Sequence, residues 1–119
     1  MSANRDMASL LDIVQAGEMI QRYLTGIDSE ELAASDEKQA AIIYRIIVIG
    51  EATKRISSEF RAEHPEIPWK DMAGMRDWVS HAYDRVNLDI VWDVAQNKIP
   101  QLLVQIKPLI AGDSSLKHI

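Results

Sequence analysis

The stretch from Ser35 to Pro65 most constrains this fold. Ile42, Ile43, Ile46, Ile47, Ile49, Thr53, Ile56 and Phe60 recur at helical spacing, giving an apolar stripe wide enough to touch two neighbours. The reading is one long central helix, capped near Ser35 or Asp36 and ending before Pro65. A helix apolar over so broad an arc cannot stand alone, so the chain is expected to wrap other helices around it. Gly50 lies inside this pattern at a cost of about 1 kcal/mol relative to Ala. A glycine there predicts that another helix crosses closely. Glu51 beside it reads as a core-edge carboxylate paired with Lys54 or Arg55, a functional carboxylate being the lesser alternative.

The flanking segments supply the partners. Leu10, Ile13, Val14, Gly17, Ile20 and Leu24 place a first helix from Asn4 or Arg5 to Leu24, and Gly26 supplies its stop. Asp28 or Ser29 can cap a short acidic helix carrying Glu30 and Glu31 in its first turn, a piece expected to pack little. His64-Pro65-Glu66-Ile67-Pro68 is a connector, because each proline biases its predecessor away from helix. Ile67 and Trp69 read as core plugs, His64 and His118 as surface residues. Trp69 opens a turn leading into the next helix. Asn87 can cap a last helix with Ile90, Val91, Val94, Ile99, Leu102, Leu103, Ile106 and Leu109 along one side, and Pro100 must kink or break it. No repeat and no β-period pattern is present. The expectation is an all-α antiparallel bundle of four to five helices, a single domain over 1–112 with a flexible C-terminal tail over 113–119.

Composition excludes several chemistries. With no cysteine in 119 residues there is no disulfide, thiolate nucleophile or zinc–thiolate site. No apolar run approaches the ~18 residues of a membrane span, and the N-terminus lacks a signal-peptide pattern, so a cytoplasmic protein without membrane contact is expected. A net charge of −5 argues against nucleic-acid binding until its distribution is considered. Asp28, Glu30, Glu31, Asp36 and Glu37 are the whole excess. This acidic stretch reads as a solvated loop and short helix, a docking surface for a basic partner being the minority reading. A basic cleft remains open elsewhere.

One stretch carries chemical content, Gly74 to Tyr83. At ~100° per residue, Tyr83, Arg76, Ser80, Asp84, Asp77 and His81 fall in that order on an arc slightly under half a helix. Met75, Trp78, Val79 and Ala82 take the opposite side. A polar face is ordinary on an exposed helix, but the order here is not. Arg, four residues, His, one residue, Tyr resembles the R-x-x-x-x-H-x-Y signature of the HEPN superfamily of small α-helical ribonucleases, in particular HepT toxins paired with minimal nucleotidyltransferase antitoxins. Val48-Ile49-Gly50-Glu51-Ala52, Pro65-Glu66-Ile67-Pro68-Trp69, Gly74-Met75-Arg76 and Ile90-Val91-Trp92 are similar to that family in the same order, from about Arg5 to about Leu109.

A P-loop, a dinucleotide-binding glycine pattern, a Gly-x-Ser-x-Gly elbow and a Glu-x-x-His di-iron pattern are absent. What remains suits metal-independent RNA cleavage, in which the neighbouring 2′-hydroxyl is the nucleophile and no cofactor is required. His81 is expected to exchange protons as base or acid, since imidazoles ordinarily titrate near ~6.5. Arg76, permanently charged and fork-shaped, is expected to clamp the developing phosphorane. Asp77, four residues before His81, can orient the imidazole, and Ser80 can add a phosphate contact. One histidine cannot easily serve both ends of an in-line displacement. The resemblance implies a two-fold homodimer in which two copies of the motif face one cleft. Arg76, Arg85 and Lys70 would supply its field.

The resemblance further implies a toxin of a type VII-like toxin–antitoxin pair, with Tyr83 as the acceptor of AMP from its cognate nucleotidyltransferase antitoxin. Two departures stand out. Many relatives carry Asn after the motif Arg where this chain has Asp77, and Tyr44 and Arg45 lie where relatives often show Arg and Asn. The alternatives are a non-catalytic HEPN module that binds a nucleotidyltransferase partner or nucleotides, and a structural helical bundle with an exposed polar face.

Overall fold

The computed structural model describes residues 2–80 and 88–111, with their side chains except those of residues 2, 3 and 78–80. The described residues are helical apart from short connectors. Helix α1 runs Ser2–Leu24, α2 Ser29–Ala33, α3 Asp36–Lys54, α4 Ser58–Glu63 and α5 Trp69–Ser80. Then α6 (Leu88–Asp93), a π-helical turn (Val94–Lys98) and α7 (Ile99–Ala111) follow one another directly. Asn87, the expected cap of α6, lies outside the described residues, as does the tail from Gly112.

The central stripe is the floor of the core. Ile42, Ile43, Ile46 and Ile49 of α3 are buried against Leu10, Ile13 and Ile20 of α1, Met72 and Met75 of α5, and Val91, Leu102 and Ile106 of the last helices. Helices α1 and α3 run antiparallel. Asp6 contacts Ser57 while Asp12, a turn and a half later, contacts Arg55. Gly17 admits α7 to α1: a Cβ there would stand 2.9 Å from Leu103 Cδ2. Gly26 ends α1 in the left-handed region, φ 77°.

Two expectations need correction. The central helix does not continue to Pro65; it ends at Lys54, and α4 restarts at Ser58. The break is made by side chains. Ser57 caps α4 by accepting from the Phe60 amide at 3.1 Å, and buried Asp6 accepts from both the Ser57 amide (2.8 Å) and its hydroxyl (2.7 Å). Arg61 turns back to donate to the Thr53 and Lys54 carbonyls at 2.9 and 3.3 Å, satisfying the end of α3. The fold that results brings Ile56 into the core.

The acidic helix also packs more than expected. Asp28 and Glu31 form a capping box, and the carboxylates sit in the first turn as the dipole favours. Yet Leu32 is only 1% exposed, and the Gln39 amide donates to the Leu32 and Ala33 carbonyls. The piece is short but anchored.

Pro100 does not break the chain, which stays helical through it. Its missing amide falls just after the π turn, in which the Ile99 amide reaches back to the Val94 carbonyl. The wider register absorbs the lost bond without ending the helix. Ile67 and Trp69 are core plugs, and the Trp69 indole donates to the His64 carbonyl at 2.9 Å. His64 is not simply a surface residue. Its side chain is 27% exposed, stacks on Phe60 and lies 3.5 Å from Glu66.

Candidate active site

The site begins at a helix crossing. A Cβ added to Gly50 would lie 3.5 Å from the Ala73 carbonyl, the Arg76 amide and Arg76 Cβ. Helix α5 therefore passes directly over Gly50, as a glycine within a helical stripe predicts. The helical wheel set Arg76 on a free polar face; its stem instead lies in the seam between α3 and α5. The head leaves that seam. Its side chain is 52% exposed, and Nη1 donates to Glu51 Oε1 at 2.9 Å.

Glu51 pairs with Lys54, as expected, and with Arg76, which was not. Lys54 Nζ is its expected neighbour, at 3.9 Å, but the shorter contact is to Arg76. Arg55 turns away to Asp12, 3.2 Å distant. Spacing along α3 could suggest Lys54, four positions or fewer away. It could not suggest Arg76, which is brought in by the tertiary crossing. The signal that was present is the Gly50-Glu51 pair itself.

Of the other candidates, Asp77 is exposed on α5, one residue past Arg76, and engages in an interaction of its own. Ser80 is the last residue of α5. His81 and Tyr83 lie outside the described residues. Met75, assigned to the buried side, is 2% exposed. Among the described residues no three His, Asp or Glu side chains gather as metal ligands do, and no helix is long and apolar enough to cross a membrane.

The acidic stretch from Asp28 to Glu37 belongs to α2 and the start of α3, away from this seam. Asp28 and Glu31 serve as caps of α2, and Asp36 and Glu37 occupy the first turn of α3. From Glu37 to Glu51 along α3 the helical rise amounts to about 20 Å. That is about two and a half Debye lengths at physiological salt, so Glu37 weakly affects an anion at Arg76. Locally, Arg76 and Lys54 both lie against the Glu51 carboxylate, and Asp77 is exposed one residue past Arg76. On the same stripe of α3, Tyr44 is 59% exposed and Val48 half-buried, an apolar approach to the seam.

Comparison with known proteins shows the family to which the chain belongs. The family model described as Ribonuclease HepT-like matches residues 13–109. A probable ribonuclease HepT of Thermococcus cleftensis is 40% identical over 93 residues, 78% of this chain and 84% of that protein. An RNase candidate of Caldanaerobacter subterraneus is 36% identical over 98 residues, covering 82% of this chain and 88% of its own. Another, from Methanocaldococcus jannaschii, is 34% identical over 103 residues, 87% and 85% of the two chains. No solved structure matches the chain.

Proposed function

We propose, from the premise that this chain belongs to the Ribonuclease HepT-like family, that it is a metal-independent endoribonuclease acting through Arg76 and His81. The observation that carries the reading is the Arg76 head, held half-exposed over the α3–α5 seam, five residues before His81 in the Arg, four residues, His, one residue, Tyr order. In the reaction the RNA 2′-oxygen bonds to the adjacent phosphorus and the bond to the 5′-oxygen breaks. A base accepts the 2′-proton, and an acid protonates the departing oxygen. Arg76 neutralises the charge that gathers on the phosphorane oxygens. Asp77 orients His81, and Ser80 contributes a phosphate contact.

Two histidines serve this displacement better than one, so the working unit is a two-fold homodimer with both motifs on one cleft. Exposed Tyr44, on the same stripe of α3 as Glu51, supports an apolar contact beside the site. The protein acts in the cytoplasm as the toxin of a type VII-like toxin–antitoxin pair. Its antitoxin is a minimal nucleotidyltransferase that transfers AMP to Tyr83. The added phosphate pairs with Arg76 and the purine fills the cleft, so RNA is excluded.

The test is co-expression with the cognate nucleotidyltransferase, followed by intact-protein mass measurement and a growth assay. The parent is expected to gain one or more AMP units and lose toxicity. Tyr83→Phe is expected to remain unmodified and toxic. A Tyr83→Phe variant still modified, or still neutralised as fully as the parent, contradicts the role of Tyr83.

A further inference from the structure

We infer that Glu51 is a positioning residue for Arg76, acting on RNA only through the guanidinium it holds; this rests on the ribonuclease reading of Arg76. Three observations converge on the pair. The first is the crossing at Gly50, which brings the Arg76 amide and Cβ to 3.5 Å from where a Gly50 side chain would start. The arginine stem is therefore fixed at its root by backbone packing. The second is the carboxylate on the very next residue of α3, placed 2.9 Å from Nη1. Gly50 receives the stem and Glu51 receives the head. The third is Lys54, whose ammonium lies 3.9 Å from the same carboxylate oxygen.

As a source of stability the pair is worth little. Both side chains are half exposed, at 52% and 40%, and solvent screening leaves contacts of that kind little net effect on folding. Orientation is a different matter. An arginine head at the end of a free stem samples many rotamers, and each must be given up when a phosphate is clamped. A head already aimed by a carboxylate loses less on meeting the transition state, which is how preorganisation raises rate.

An acid beside a phosphate-binding arginine would ordinarily repel the substrate. Here Lys54 offsets it. Arg76, Lys54 and Glu51 together keep one net positive charge, so Glu51 by itself does not cancel the guanidinium, although Asp77, exposed one residue past Arg76, adds a further carboxylate nearby. A glutamate at this place fixes the arginine without by itself cancelling its charge.

The experiment uses the full-length protein and has two readouts. The first is 15N relaxation of the Arg76 Nε–Hε group in the parent, Glu51→Ala and Glu51→Gln proteins, which needs no activity. Glu51→Ala is expected to loosen that group clearly and Glu51→Gln to loosen it less. The second is cleavage of a single-stranded RNA oligonucleotide. Glu51→Ala is expected to lower kcat/KM about tenfold, mostly in kcat, with Glu51→Gln recovering part of the loss. In an Arg76→Lys background, Glu51→Ala is expected to add nothing. Arg76 equally rigid without Glu51, or the same tenfold loss in the Arg76→Lys background, overturns the assignment. A parent that does not cleave RNA overturns the ribonuclease reading instead, and the relaxation readout still decides whether Glu51 positions Arg76.

Discussion

Gly50 and Arg76 meet where α3 crosses α5, with Arg76 Cβ 3.5 Å from the position a Gly50 Cβ would take. That distance is ordinary van der Waals contact. Gly50→Ala is therefore expected to fold with stability within about 1 kcal/mol of the parent, its better helix propensity offsetting any crowding. Gly50→Val must push α5 outward and is expected to cost about 1–3 kcal/mol. It should also lower RNA cleavage, because the Arg76 stem moves with α5. Urea midpoints and cleavage rates of the two variants check this. Equal behaviour of Ala and Val contradicts a close crossing.

Asp6 joins the first helix to the break between α3 and α4 through its two bonds to Ser57, 51 residues away. Asp6 is 4% exposed. Its loss leaves a part-buried amide and hydroxyl without their acceptor. Asp6→Ala is expected to destabilise the protein by about 2–4 kcal/mol, and Asp6→Asn, which keeps one acceptor oxygen, by roughly half as much. Urea denaturation of the three proteins measures it. A cost below about 0.5 kcal/mol for Asp6→Ala would show that the break holds without this anchor.

Leu32 distinguishes an anchored α2 from a merely solvated one. As a fully buried leucine it predicts a loss of about 2–4 kcal/mol for Leu32→Ala. The exposed Arg55–Asp12 pair, 3.2 Å apart, predicts the opposite: Arg55→Ala should change stability by less than about 1 kcal/mol. Thermal melts of both variants suffice. Comparable losses at the two positions would contradict the burial of Leu32.

Local pattern was enough for the all-α bundle. Helical spacing in the isoleucine stripe set α3, and the caps at Asp28 and Ser35 act where their residue types indicated. Trp69 and Ile67 were legible because prolines fixed the connector around them. What sequence could not show are relations that span the chain. Ser57 looks like one more position in a helical stripe until Asp6 arrives from α1. Arg76 looks like part of a free polar face until α3 lies beneath it. In the same way Glu51 pointed to Lys54, its near neighbour, while the closer partner is 25 residues away. His81 and Tyr83 were read from spacing and resemblance, and their role rests on those and on the tests above.

The most direct test of the central claim is cleavage of a labelled single-stranded RNA by freshly purified protein in buffer containing EDTA, comparing the parent with Arg76→Ala and His81→Ala. Circular dichroism is recorded on the same samples. The account predicts that the parent cleaves with chelator present and leaves a 2′,3′-cyclic phosphate. Each variant should retain its helical signal and lose activity by about 100-fold or more, the scale of a missing proton-transfer or charge-stabilising group. Cleavage abolished by EDTA, no cleavage by the folded parent, or a His81→Ala protein as active as the parent would contradict it.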